Sequence, residues 1–313
     1  MKRNLIRVTL FFYLIDICIS DSLGDFTNLQ AMKKTTFLIS LGALILVGTI
    51  YFSFDGIAPV RLMPGDQLVK IDQKWELPSI LKEVSGIALM DNNRIACIQD
   101  EAGVIFIYNL MSSKIEKKIE FGNSGDYEGI ALVGSTAYVL RSDGSIFEVN
   151  NFENHKASSI KYKISLKGNY DFEGLCYDKK NNRLLLNIKD MDKDEFKPIF
   201  AFDLYTKKFR SEPVFSINFN DPIFDILEVK KSNKLLRPTE IGIHPKTGDI
   251  YILEAKNPKL LILDSLGNPL KLYVFKEEQF NQAEGMGFNK DGKLYISNEG
   301  DHEPGNILQV SLE

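Results

Sequence analysis

From about residue 67 to the end, short apolar runs alternate with polar turns along this chain. One phrase heads five of those runs: EVSGIAL (83–89), DYEGIAL (126–132), DFEGLCY (171–177), PTEIGIH (238–244) and QAEGMGF (282–288). Polar turns follow, such as MDNNR (90–94), YDKKNNR (177–183), HPKTGD (244–249) and NKDGK (289–293), rich in the Asn, Asp and Gly that tight turns require. Second runs come next: RIACIQD (94–100), TAYVLRS (136–142), RLLLNIKD (183–190), DIYILEA (249–255) and KLYISNE (293–299). Third runs such as GVIFIYNL (103–110), GSIFEVN (144–150) and KLLILDS (259–265) and weaker outer runs such as KIEKKIEF (114–121) complete each unit.

Stacking the phrases puts Ser85, Glu128, Glu173, Glu240 and Glu284 in one column, separated by 43, 45, 67 and 44 residues. A period in the forties predicts an all-β propeller of four-stranded blades over residues 67–313. The last unit has three runs before the chain ends, and QLVKIDQKWELP (67–78) is a spare strand ahead of the first phrase. That strand is expected to complete the last blade and remove a free sheet edge. The longest interval contains DPIFDILEVKKSNK (221–234), whose apolar spacing suits a short helix, either a cap over the channel or a surface insertion.

The front of the chain is different. Residues 35–54 carry no charge over a length that spans ~30 Å of hydrocarbon. Lys33 and Lys34 precede this run, which predicts a signal anchor or transmembrane helix over 32–55 with its N-terminus in the cytoplasm. A cleaved signal peptide has a shorter apolar core. Residues 56–66 read as a Pro/Gly linker. Residues 1–31 form an extension: Met32 opens an export-like start of its own, so 1–31 is either a mis-assigned start or a second membrane-associated segment. The expected location is the cell membrane, single-pass, with an extracytoplasmic (periplasmic) propeller.

Charge narrows the partners. A net charge of −4 argues against nucleic acid. The three cysteines form no CxxC pair, which leaves them as small buried hydrophobes. Three scattered histidines, and no GxSxG, HExxH or phosphate-binding glycine loop, give no familiar hydrolase signature.

The first strand of each propeller blade runs beside the axis, so the repeat column is expected to converge there. A second column, taken thirteen or fourteen positions later, is Gln99, Arg141, Asn187, Glu254 and Asn298. Several carboxylates this close need raised pKa values or a cation. Arg141 is expected to neutralise Glu128. Carboxylate and amide oxygens from Glu128, Glu173, Glu240, Glu254, Glu284, Asn187 and Asn298 suit calcium rather than zinc, with Ser85, Gln99 and Arg141 lining the channel. A water-filled acidic channel without a specific ion fits the same composition.

The phrases VSGIAL, DYEGIAL, DFEGL, PTEIGIHP and AEGMGF, with NKDGKLYISNE near the end, resemble the SdiA-regulated (YjiK-like) family over residues 67–313. That resemblance implies a five-bladed propeller, distantly related to NHL repeats, behind a membrane anchor and with bound calcium. Ser85 and Arg141 depart from the pattern and favour an off-axis site among the third, fourth and fifth blades. Three functional readings follow: a calcium-binding propeller that recognises an unidentified ligand in its channel, a metal-dependent hydrolase of lactonase or esterase type, and a protein-binding scaffold with a structural ion.

Overall fold

The computed structural model describes residues 68–154, 157–164, 166, 168, 170–189, 196–227, 229 and 235–313. The extension, the apolar segment and the linker expected over 1–66 lie outside the described residues. Among the described residues no helix is long and apolar enough to cross a membrane.

Among the described residues, strand β1 (Val69–Glu76) comes first. Blade 1 is β2 (Val84–Leu89), β3 (Arg94–Gln99), β4 (Val104–Asn109) and β5 (Lys114–Glu120). Blade 2 is β6 (Tyr127–Val133), β7 (Thr136–Arg141), β8 (Ser145–Asn150) and β9 (Ser158–Lys163). Blade 3 is β10 (Phe172–Asp178), β11 (Arg183–Ile188), β12 (Phe196–Asp203) and β13 (Lys208–Asn218). Blade 4 is β14 (Glu240–Ile243), β15 (Ile250–Glu254), β16 (Lys259–Leu263) and β17 (Pro269–Val274). Blade 5 joins β18 (Ala283–Phe288), β19 (Leu294–Asn298) and β20 (Asn306–Leu312) to β1, which pairs antiparallel with β20 from Val69↔Leu312 to Glu76↔Asn306. The first and last strands therefore close the ring, as the spare strand predicted. Inner strands touch in the order β2, β6, β10, β14, β18 and back to β2.

Each blade has two apolar faces, and each is buried against a neighbour. Ile98, Ile107 and Phe121 of blade 1 meet Ile130, Val139 and Phe147 of blade 2 in one cluster. Four equivalent clusters fill the other interfaces among the described residues. Burial of one such side chain contributes about 1.5–3 kcal/mol, so the stabilising energy lies between blades rather than within them. Blade 5 is tied to blade 1 by Trp75, whose indole N–H donates to the Leu110 carbonyl at 2.9 Å.

The hairpin turns obey local chemistry. Gly248 (φ 78°), Gly292 (φ 86°) and Asn182 (φ 48°) occupy left-handed positions in turns between first and second strands, where β-branched residues would be strained. Within the insertion, Pro222–Leu227 forms a 3-10 helix. Phe224 is buried against Phe219 (5.7 Å between rings), and the helix packs on β17, filling the gap between blades 3 and 4.

Candidate functional site at the ring axis

The repeat phrase builds a β-bulge. The ladder between first and second strands slips between Val84 and Gly86, Tyr127 and Gly129, Phe172 and Leu175, and Ala283 and Gly285. Ser85, Glu128, Glu173 and Glu284 fall inside those slips, where a bulge re-aims the side chain. The glycine after each is a packing requirement. A Cβ on Gly129 would lie 2.8 Å from the Leu175 amide nitrogen and 3.0 Å from the Glu173 carbonyl. One on Gly86 would lie 3.2 Å from the Glu128 carbonyl. Neighbouring inner strands thus approach backbone to backbone, level with one another, and stack the repeat carboxylates from blade to blade.

Those carboxylates interact. Burial, then Glu173 and Asp126, push Glu128 up to about 10. Burial pushes Glu173 up to about 8 against the pull of Lys189. Burial raises Glu284, with Asp100 adding to it and Lys189 opposing. Glu240 is fully enclosed and raised well above the carboxylate range by burial, although the amides of Ile241 and Leu175 each donate to its Oε1 at 2.9 Å. Its Oε2 is buried without a partner. Asn187 is 0% exposed, and neither its Oδ1 nor its Nδ2 has a partner; that Oδ1 and Glu240 Oε1 converge on Gly174. Ser85 Oγ and Asn298 Oδ1 are also buried and unpartnered, although Asn298 Nδ2 donates to Asn306 Oδ1 at 2.8 Å.

Besides Arg237, which acts on Glu284, the cation serving this group is Lys189. Its Nζ lies 2.8 Å from Glu173 Oε1. Burial opposes its charge, but Glu173, Glu284 and Glu128 outweigh that and raise its pKa. Arg141, expected to neutralise Glu128, is instead engaged two-pronged by Asp143 at 3.1 and 2.7 Å, the acid two residues on. Asp143 is held far below the usual carboxylate range, first by Arg141. Gln99 is half-buried and accepts from the Glu101 amide. Glu254 is 0% exposed and satisfied: Lys259 Nζ lies 2.6 Å from Oε2, the Arg237 amide donates to Oε2, and Asn257 donates to Oε1.

One alignment was off by a residue. Strand ends place Ile188, not Asn187, level with Gln99, Arg141 and Asn298, because Val84 faces Gln99, Tyr127 faces Arg141, Phe172 faces Ile188 and Ala283 faces Asn298. The next position then collects Asp100, Ser142, Lys189 and Glu299. Their amides make equivalent bonds, to Glu83, Asp126, Asp171 and Gln282 respectively. This column, which the sequence reading missed, carries charge into the site. Burial and then Glu284 push Glu299 up to about 7; burial and Glu83 raise Asp100. The signal was present as the polar residue ending CIQD, NIK and ISNE.

Among the described residues no three acid, histidine or cysteine side chains stand close enough to form a coordination shell alone. His244 stacks on Tyr251 and meets Phe288 edge to face, and His302 is 96% exposed beside Asp301. A recess of about 360 Å³, lined by Trp75, Asn92, Asn289 and Tyr295 among others, lies at the turn end between blades 5 and 1, away from the carboxylates.

A family model for SdiA-regulated proteins matches residues 62–302. The chain belongs to the SdiA-regulated family. Comparison with curated protein sequences finds no match. Among solved structures, the glutaminyl cyclase of Myxococcus xanthus is similar at 15% identity and a TM-score of 0.54, over 79% of this chain and 97% of that one. Virginiamycin B lyase of Staphylococcus aureus is similar at 14% identity and a TM-score of 0.42, over 77% and 70% respectively. The cyclase likeness is one of fold.

Proposed function

We propose that this member of the SdiA-regulated family is a membrane-anchored extracytoplasmic propeller that binds calcium at its axis and recognises a ligand there. The observation that carries the reading is a charge imbalance. Glu128, Glu173 and Glu284 share the ammonium of Lys189, Arg237 acts on Glu284 as well, and Glu240 feels Glu173 and Glu284 with no cation of its own among these influences. Glu240 Oε2, Asn187 Oδ1 and Asn298 Oδ1 add buried oxygens that need a partner. An all-oxygen donor set suits a hard cation of six to eight ligands, with water completing what the side chains do not supply. The ion is held by Glu240 and Asn187 with Glu173, Glu284 and Glu128 around it, and it takes over the counter-charge now provided by Lys189. Glu254 stays outside the set because Lys259, Arg237 and Asn257 already engage it. The uncharged run at 35–54 supplies the anchor.

The test is metal content after purification without chelator, on wild type and Glu240→Gln. About one calcium per chain, lost in the variant, supports the reading; no bound calcium in either overturns it. A second reading, a metal-dependent hydrolase, is favoured by Glu299 near 7 and Glu173 near 8, values at which a carboxyl group exchanges protons at neutral pH. Turnover of a lactone or aryl-ester panel, abolished by EDTA, distinguishes it.

A further inference from the structure

The ends of the ring differ in charge, and the chain enters the propeller at one of them; apolar side chains are exposed at both, Ile80, Phe196 and Val274 at the carboxylate end by 44%, 42% and 50%. The carboxylates sit at the end where first strands begin. The opposite end is formed by turns between first and second strands and between third and fourth strands.

Three of those outer turns share one construction. Asn109, Asp203 and Asp264 each end or follow a third strand, and each side-chain oxygen accepts the amide two residues on. The residue so held is Met111, Tyr205 or Leu266. These side chains are 79%, 89% and 77% exposed, although all three are large and apolar. Each hydrogen-bonded turn therefore presents an apolar tip to solvent rather than leaving it on a loose loop. In blade 2 the corresponding Phe152 is buried between blades 1 and 2. In blade 5 the corresponding junction is Leu68, 57% exposed, whose carbonyl accepts the Glu313 amide.

Charge separates the same two ends. Lys179, Lys180, Lys246, Lys290 and Lys293 in turns, and Lys208 at the start of β13, are exposed at the apolar-tipped end. That end also carries acids: Asp91 and Glu153, both held by Arg94, Asp203 and Asp264 in the turns of Tyr205 and Leu266, Asp291 between two of the lysines, and Glu313. At the carboxylate end Glu101, Asp126, Glu277, Glu278, Asp301 and Glu303 are exposed. Lys82, Lys163, Lys256 and Lys276 are exposed at the carboxylate end too, but the exposed acids there outnumber them, whereas lysines outnumber exposed acids at the apolar-tipped end.

We propose that this end docks on the surface of an anionic lipid bilayer, with Met111, Tyr205, Leu266 and Leu68 entering the headgroup layer and the lysines facing lipid phosphate. Apolar tips on a face with a surplus of lysines are the chemistry of interfacial binding. Thirteen residues separate the uncharged run from Leu68, a reach of at most ~45 Å. The tips then select which end meets lipid, and the carboxylate end faces away. This rests on the anchor reading for residues 35–54.

The test uses the full chain carrying Cys18→Ser, since Cys97 and Cys176 are buried. A single cysteine at Leu266 or Tyr205, or at Glu303 on the other end, is labelled with an environment-sensitive fluorophore. The protein is placed in phosphatidylglycerol vesicles and in phosphatidylcholine vesicles, with flotation measured on every sample. Several-fold stronger quenching by nitroxide-labelled lipid at 266 and 205 than at 303, weakened by Lys179→Glu with Lys180→Glu and by neutral lipid, supports docking. Flotation with equal quenching at both ends overturns docking and leaves the anchor standing. Loss of flotation in all variants overturns both.

Discussion

Two buried carboxylates of this ring each have a lysine within 2.8 Å, yet their situations are opposite. Glu254 in blade 4 faces Lys259, and the Arg237 amide and Asn257 engage its oxygens as well. One acid meets one base, and the group is complete. Glu173 in blade 3 faces Lys189, but Glu284 and Glu128 act on the same ammonium. The first pair is a structural unit; the second gathers more carboxyl groups than cations where four blades meet. Burial of a charge demands a partner, and the number of partners separates a scaffold element from a candidate binding site.

The largest effect is expected at the complete pair. Lys259→Met leaves Glu254 buried without its cation and lowers unfolding free energy by about 3–5 kcal/mol. Denaturant unfolding reads this, and calcium binding to the surviving folded protein is unchanged. A loss of calcium binding without loss of stability would erase the distinction drawn here.

Next in size is the close approach of the inner strands. Gly129→Ala drives a Cβ against the Leu175 amide and Glu173 carbonyl and costs about 1–3 kcal/mol by overpacking. Gly134→Ala, at a φ of 61° with open space around it, is the control for backbone strain alone. Equal costs at both sites would remove the packing explanation.

A smaller effect is expected with pH. The folded pKa values of Glu128, Glu173 and Glu299, about 10, 8 and 7, lie above the ordinary value of 4.5. The folded state then binds more protons than the unfolded one, so this stability is complete below about 4.5 and is lost as pH rises through 7 to 10. Chelated protein should show a falling Tm from pH 6 to 10, and calcium should flatten the fall. A Tm rising with pH over that range contradicts the assignment.

The mildest change is Lys189→Gln. Removing the internal cation raises calcium affinity about tenfold or less, in the manner of deleting one competing charge near a surface site. Unchanged affinity would separate Lys189 from the ion's position.

Much of the architecture was legible because a repeated bulge leaves a repeated phrase. The Glu-Gly pairs marked inner strands, and the spare strand at 67–78 indicated closure through β1 and β20. The site was only partly legible. A fixed offset cannot follow a bulge, so Asn187 was grouped with Gln99 and Lys189 was overlooked. Arg141 was assigned to Glu128 because sequence spacing hides the turn that brings Asp143 back to it. Glu254 looked like its axial counterparts until its cross-strand partner, Lys259, came into view. A bulge, a turn and a cross-strand pair decided these three positions, and a one-dimensional pattern carries little of any of them.

The most direct test is a calcium titration by calorimetry at neutral pH in two buffers of different ionisation enthalpy. A divalent ion entering carboxyl groups that hold protons must displace them, so binding heat should depend on the buffer and report proton release, and both should vanish in Glu240→Gln. Buffer-independent heat, or no heat, would contradict a shared, partly protonated carboxylate cluster at the axis.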